Sequence, residues 1–230
     1  PLQAPKEYQE KFSFIKQDNR RMYAAMTNFL DDQLANITGE FKSQGLWDNT
    51  LMIFTADNGG YVKAENGLCN TTEWTNNTRE DVGKGTACFN GESGANNYPL
   101  RGGKYSNFEG GIRVNAFASG GYLPKKARGT IENQPIHIAD WYGTFCKLAG
   151  VNPFDKSAAA SGLPPVDSVN VWPLLSGNTG TSPRQSWLVQ PGLYMSGEWK
   201  YAAGGSKMIE SNWGGPVYPN ASTANDPIDK

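Results

Sequence analysis

Leu51-Met52-Ile53-Phe54-Thr55-Ala56-Asp57-Asn58-Gly59-Gly60 is a short apolar run that breaks into a small polar turn. The run has the length of a strand and no polar alternation, which predicts a strand buried on both faces in a parallel sheet. Upstream, Met22, Met26, Phe29, Leu30, Leu34, Ile37 and Phe41 recur mostly at steps of three and four. That spacing predicts one helix over about residues 17–44 with a single buried stripe. Gly45 supplies the stop, since a C-terminal cap calls for a residue at ease with positive φ. Helix, tight turn and buried strand make the αβ half of a βαβ unit, so the fold class is α/β. Asp57–Gly60 then falls at the carboxyl end of the strand, where open α/β sheets place ligands.

The bulk of the chain fits this reading. Its 230 residues are 38% hydrophobic and 12% aromatic, enough for a packed core. The net charge of -1, from 21 basic and 22 acidic residues, argues against a nucleic-acid or polybasic membrane partner. No apolar run reaches the length needed to span a bilayer. The chain starts at Pro1 with neither an initiator Met nor a signal peptide, and reads as processed or partial.

Downstream, residues 61–97 are polar and rich in Gly, Asn and Thr, and read as a long surface insertion. Cys69 and Cys88 bracket much of that stretch, where a disulfide would fix a loop. Cys146 sits in an apolar helical segment and reads as a buried free thiol. Sequons stand at Asn36, Asn70, Asn76 and Asn220. Two of them fall between the paired cysteines, which points to an oxidising, secretory or extracellular setting.

A strand is expected near Ile112–Ala118 and a helix over Pro135–Ala149, ended by Gly150. His137, the only histidine, reads as a helical residue with a structural role. Residues 151–185 are rich in Pro, Ser, Ala and Gly and look like a connector. Ser186–Tyr194 and Trp199–Ala203 flank Met195-Ser-Gly-Glu198, a hairpin signal. The organisation expected is one α/β domain over 1–150, a connector, and a small antiparallel subdomain over 186–230.

Three segments carry candidate chemistry. The Asp57 carboxylate and Asn58 amide offer hard oxygen ligands suited to calcium or magnesium. Asp-Asn-Gly is also ordinary turn chemistry, and the tetrapeptide alone leaves both readings open. Pro99-Leu100-Arg101-Gly102-Gly103-Lys104 and Glu109-Gly110-Gly111-Ile112-Arg113 set two glycine pairs around a polar segment. Glycines permit close backbone approach, and Lys and Arg suit an oxyanion such as sulfate or phosphate. A structural Arg–Glu pairing in a glycine-rich loop is the alternative.

Taken in order, these segments resemble the motifs of the sulfatase family, within the alkaline phosphatase superfamily and nearest the arylsulfatase B type. Pro1-Leu2-Gln3, Gly45-Leu-Trp-Asp-Asn-Thr50, His137-Ile-Ala-Asp140-Trp141 and Val171-Trp-Pro-Leu-Leu175 extend the likeness over most of 1–180. The resemblance implies an alkaline phosphatase-like α/β fold: a large mixed sheet flanked by helices, of which this chain is the C-terminal half. It implies that Asp57 and Asn58 bind a divalent metal, calcium or alternatively magnesium, and that Lys104 contacts the sulfate. Arg101, Glu109 and Arg113 would serve in positioning.

The chain also departs from the family. Family members use a formylglycine made in a Cys-x-Pro-x-Arg-like motif, and none of the three cysteines here has that context. The early aspartate pair of the family metal site is absent too, because Asp31-Asp32 lies inside the long helix. The expectation is a secreted or lysosome-like sulfatase acting on aryl or carbohydrate sulfates. The nucleophile would come from an N-terminal half of the same protein, and this portion would be inactive alone. Two other classes stay open: an extracellular structural or binding glycoprotein on a sulfatase-derived fold, and a phosphoester hydrolase of the same superfamily.

Overall fold

The computed structural model describes residues 3–16, 18–61, 94–104 and 106–203. Cys69, Cys88, Asn70, Asn76 and Asn220 therefore lie outside the described residues, as does most of the expected insertion. The helices are α1 (Lys6–Lys11), α2 (Asp18–Ser43), α3 (Glu109–Ile112), α4 (Asp140–Leu148), α5 (Lys156–Ala160) and α6 (Trp172–Leu175). The strands are β1 (Met52–Thr55), β2 (Ala116–Ser119), β3 (Ser186–Gln190), β4 (Leu193–Ser196) and β5 (Trp199–Ala202). No described helix is long and apolar enough to cross a membrane.

By internal contacts the chain divides into two compact units. Of the described residues, one comprises those within Pro1–Gly45 and Phe54–Phe117, and the other those within Leu46–Ile53 and Ala118–Ser206. In the first, α2 runs the expected course and stops at Gly45, whose φ of 68° is the left-handed cap anticipated. Its apolar stripe is a different matter. Phe29, Leu30, Ile37 and Phe41 are exposed, and Ala25 is the helix's buried residue. Tyr8 of α1 packs edge-on against Phe29 at 5.3 Å, and α1 is too short to cover three turns more. Ile15, in the loop joining the two helices, is buried.

β1 pairs with β2 in a two-stranded sheet, and all four β1 residues are half-buried. The expected burial on both faces is not met among the described residues, because two strands cannot screen both faces of either one. β2 starts later than the predicted strand. The amides of Ile112 and Arg113 bond to the carbonyls of Phe108 and Glu109, which closes the helical turn α3 before the backbone extends.

In the second unit, α4 begins at Asp140, five residues after the predicted start at Pro135. His137 is consequently in the turn before the helix. Its amide donates to Asp140 Oδ2 at 2.8 Å, and its carbonyl accepts from the Asp140 amide at 2.9 Å. Gly150, with φ 70°, ends the helix as expected. Cys146 on α4 is a free thiol but only half-buried, since α4 turns Tyr142 and Phe145 outward beside it.

Residues 151–185 carry α5 and α6 and contribute buried side chains at Val171, Leu174, Ser176, Ser182 and Arg184. The Arg184 guanidinium is held by Asp140, with Nη2–Oδ1 at 2.5 Å and Nε to both carboxylate oxygens at 3.1 and 3.2 Å. Val169 donates its amide to the same carboxylate at 3.1 Å, and Val171 donates to Thr144 Oγ1 at 3.0 Å. These bonds satisfy the two buried polar side chains of α4, which unpaired would each be costly. Hydrogen bonds to Asp140 push the Arg184 pKa up further from its already high ordinary value.

β3, β4 and β5 form an antiparallel three-stranded sheet, with Trp187 opposite Met195 and Met195 opposite Lys200. The turn at Pro191-Gly192 divides the single run expected over Ser186–Tyr194 into β3 and β4. Gly192 takes φ 83° there, which only glycine adopts freely.

Candidate functional site

The first unit brings the three glycine-rich segments together. β1 delivers Asp57 and Asn58 into a bend directly after its end. Within that bend the Asn58 amide donates to Asp57 Oδ1 at 2.8 Å, and Asn58 Nδ2 donates to the Gly59 carbonyl at 2.9 Å. The turn reading and the ligand reading are therefore compatible. Asp57 Oδ2 and Asn58 Oδ1, both hard oxygens, are not used by these bonds, and Asp57 is exposed.

The next two residues are locked to the later segments by backbone. The Gly59 amide donates to the Gly111 carbonyl at 2.9 Å, and the Lys104 amide donates to the Gly60 carbonyl at 2.9 Å. The Gly110 amide donates to the Arg101 carbonyl at 2.7 Å. So Asp57-Asn58, Arg101–Lys104 and Glu109–Arg113 lie within one hydrogen-bonded assembly. The Arg101 guanidinium sits 4.5 Å over the Phe108 ring, a stacked arrangement that holds the side chain across the segment. Glu109 opens α3, and the Arg113 amide closes that turn on the Glu109 carbonyl at 2.8 Å.

Close approach explains the glycines. A Cβ at Gly59 would stand 1.6 Å from the Gly110 carbonyl oxygen, and one at Gly110 would stand 2.1 Å from the Gly102 carbonyl oxygen. No other residue type fits either position without separating the segments. The floor of the site is consequently main chain, with Asp57, Arg101 and Lys104 exposed at its rim.

One residue that matters here escaped the reading of the sequence. Asn97 accepts from the Gly60 amide at 3.0 Å and donates from Nδ2 to the carbonyls of Gly60 and Gly102, both at 2.9 Å. It stitches the strand-end turn to the lysine segment with a single amide. It lies in the Asn-rich stretch ahead of Tyr98, where the only signal was its position two residues before the Pro-Leu-Arg motif.

Asp57 and Asn58 have the donor chemistry for a hard divalent cation, but two side-chain oxygens fall short of the six to eight that calcium takes. Among the described residues no group of three or more His, Cys, Asp or Glu is gathered to hold a metal.

The assembly is thus an α/β strand end that sets acid, amide and ammonium groups around a glycine floor. The family model for Sulfatase matches residues 1–151, and the chain belongs to the sulfatase family. It is 36% identical over 149 residues to arylsulfatase J of Mus musculus, a match covering 65% of this chain and 20% of that protein. N-acetylgalactosamine-6-sulfatase of Sus scrofa is 25% identical over 142 residues, covering 61% of this chain and 22% of its own length. The chain spans about a fifth of the length of these curated relatives. The crystal structure of Ps i-CgsB in complex with k-i-k-neocarrahexaose superposes with a TM-score of 0.63 at 26% identity. That match covers 89% of this chain and 39% of the other, and the fold is that of the sulfatases.

Proposed function

We propose that this chain is one part of a secreted or lysosome-like sulfatase that hydrolyses aryl or carbohydrate sulfate esters with the help of a divalent metal. The observation that supports it most is the convergence of Asp57-Asn58 with Lys104 through the Gly60 carbonyl, inside the region matched by the sulfatase model. Bound there, calcium or magnesium would supply Lewis-acid polarisation of a sulfate oxygen. Asp57 and Asn58 would hold it through the oxygens their mutual hydrogen bonds do not use.

Lys104, on the segment tied to Gly60, is the residue to meet negative charge on the sulfate oxygens. A fixed ammonium stabilises charge that grows at the transition state more than it stabilises the ground state. Arg101, Glu109 and Arg113 hold the segments in place around it. The nucleophile, a formylglycine, belongs to a part of the protein outside this chain, and the 230 residues alone are inactive. The relative solved with a neocarrahexaose bound supports a carbohydrate sulfate as one substrate class.

The test is hydrolysis of 4-nitrophenyl sulfate and of a sulfated oligosaccharide by the complete protein, with and without chelator. Turnover that the chelator abolishes and added calcium restores is the expected result. Absence of turnover from complete, metal-loaded protein containing the nucleophile motif would overturn the reading.

A further inference from the structure

A cleft of about 560 Å³ opens between α2 and the loop that precedes it, a volume within the usual range for small-ligand sites. Phe12, Phe14, Ile15 and Tyr23 supply apolar and aromatic walls. Arg20 is the cation that lines it. Half-buried, this guanidinium makes its one described hydrogen bond to the neutral Gly94 carbonyl, at 2.6 Å. Burial lowers its pKa from the ordinary value, and among the described residues no carboxylate is bonded to it. Asp31 also lines the cleft, but eleven residues further along the same helix, roughly 16 Å at the helical rise, so it does not neutralise Arg20. Arg21, the adjacent cation, is paired with Asp18.

The cleft lies near the candidate site. Ala95, next to the carbonyl that Arg20 binds, is buried against Gly60, where a Cβ would meet its methyl at 2.6 Å. The Tyr23 hydroxyl lies 3.5 Å from the same position. The Tyr23 wall of the cleft therefore comes near the turn that follows Asp57 and Asn58.

We propose that this cleft receives the organic part of the sulfate ester, as an apolar ring bearing a second anionic group that pairs with Arg20. Charge complementarity selects the anion, because a half-buried guanidinium offers several donors and only one is used among the described residues. The aromatic walls select the ring. The inference rests on the reading of the adjoining turns as one side of a sulfate site, but its test needs no turnover.

The probe is 2-naphthalenesulfonate, with neutral 2-naphthol and inorganic sulfate as controls, titrated into the 230-residue chain and followed by amide chemical shifts. The sulfonate is expected to shift the amides of Phe12–Ile15, Ala24 and Thr27. Naphthol should bind about tenfold or more weakly, for want of a charge-assisted hydrogen bond. Arg20→Gln should weaken the sulfonate by a similar factor, Arg20→Lys should restore part of it, and Thr27→Trp at the exposed rim should block both rings. Lys104→Ala should change none of these. Sulfonate binding that is absent at millimolar concentration, indifferent to Arg20→Gln, or confined to the Asp57–Gly60 and Lys104 segments overturns the proposal. A complete protein that fails to hydrolyse sulfate esters while the cleft still binds the sulfonate sinks the functional reading and, with it, the assignment of the cleft to a sulfate ester, leaving only a site for anionic ring ligands.

Discussion

Replacing Arg184 with Met tests the polar core of the second unit. Arg184 is 5% exposed and gives Asp140, which is fully buried, three hydrogen bonds. Its fourth goes through Nη1 to Asp167 Oδ1 at 2.8 Å, and that carboxylate is 74% exposed. The two arms of the network should thus have unequal weight. Arg184→Met leaves the Asp140 carboxylate with only the His137 and Val169 amides, an uncompensated buried charge that costs about 3–5 kcal/mol. Asp167→Asn removes a solvated partner and should cost about 0–1 kcal/mol. Since a domain is stable by only about 5–15 kcal/mol, the first change should move the urea midpoint far and the second hardly at all. The raised Arg184 pKa means its charge stabilises the fold fully below the unfolded value and is lost only as pH rises through the folded one. Both lie above the working range, so the Arg184→Met penalty should be flat from about pH 6 to 9. Urea unfolding followed by tryptophan fluorescence measures all of this. A penalty under about 1 kcal/mol for Arg184→Met, or equal penalties for the two variants, would refute the reasoning.

Gly59→Ala forces a methyl into the Gly110 carbonyl and must part the two segments, at about 2–4 kcal/mol from overpacking and a lost hydrogen bond. Hydrogen exchange at the Gly59 amide should accelerate, and unchanged exchange would count against the packing described. Asn97→Ala unpairs the Gly60 amide and the Gly102 carbonyl, each worth about 1–3 kcal/mol where buried. Faster exchange at Gly60 and a lower melting temperature are expected; a neutral result would show that water replaces the amide. On the proposed function, Lys104→Ala in the complete protein should lower kcat by at least about a hundredfold with the melting temperature unchanged. A change confined to KM would assign Lys104 to ground-state binding instead.

Local signals in the sequence located the elements that local forces build. The 26-residue α2 and its Gly45 cap followed from periodicity and from one residue suited to positive φ. β1 followed from an apolar run. The fate of the apolar stripe did not, because Phe29 and Ile37 look the same whether a neighbour covers them or not. Helix starts were misread where a side chain, rather than a propensity, sets the boundary. Asp140 takes up the His137 amide, and α4 begins there despite the inviting Pro135. In the site, the glycine pairs and the charged rim were visible as motifs. Asn97 was not, since its role comes from two loops meeting through a side-chain amide. Outside the site, Arg184 was no more visible, because its partner Asp140 is 44 residues away in sequence.

The glycine floor has a consequence for how such a site can change. Gly59, Gly110 and Gly111 lie against the backbone of neighbouring segments, so at these three positions the floor carries no side chain of its own. A surface of amides and carbonyls presents the same chemistry whatever the substrate. On the proposed function, discrimination between one ester and another would then be written on the periphery, in the length and charge of residues such as Arg101 and Lys104. Changes of specificity would then be sought at the margin and not at the glycine centre.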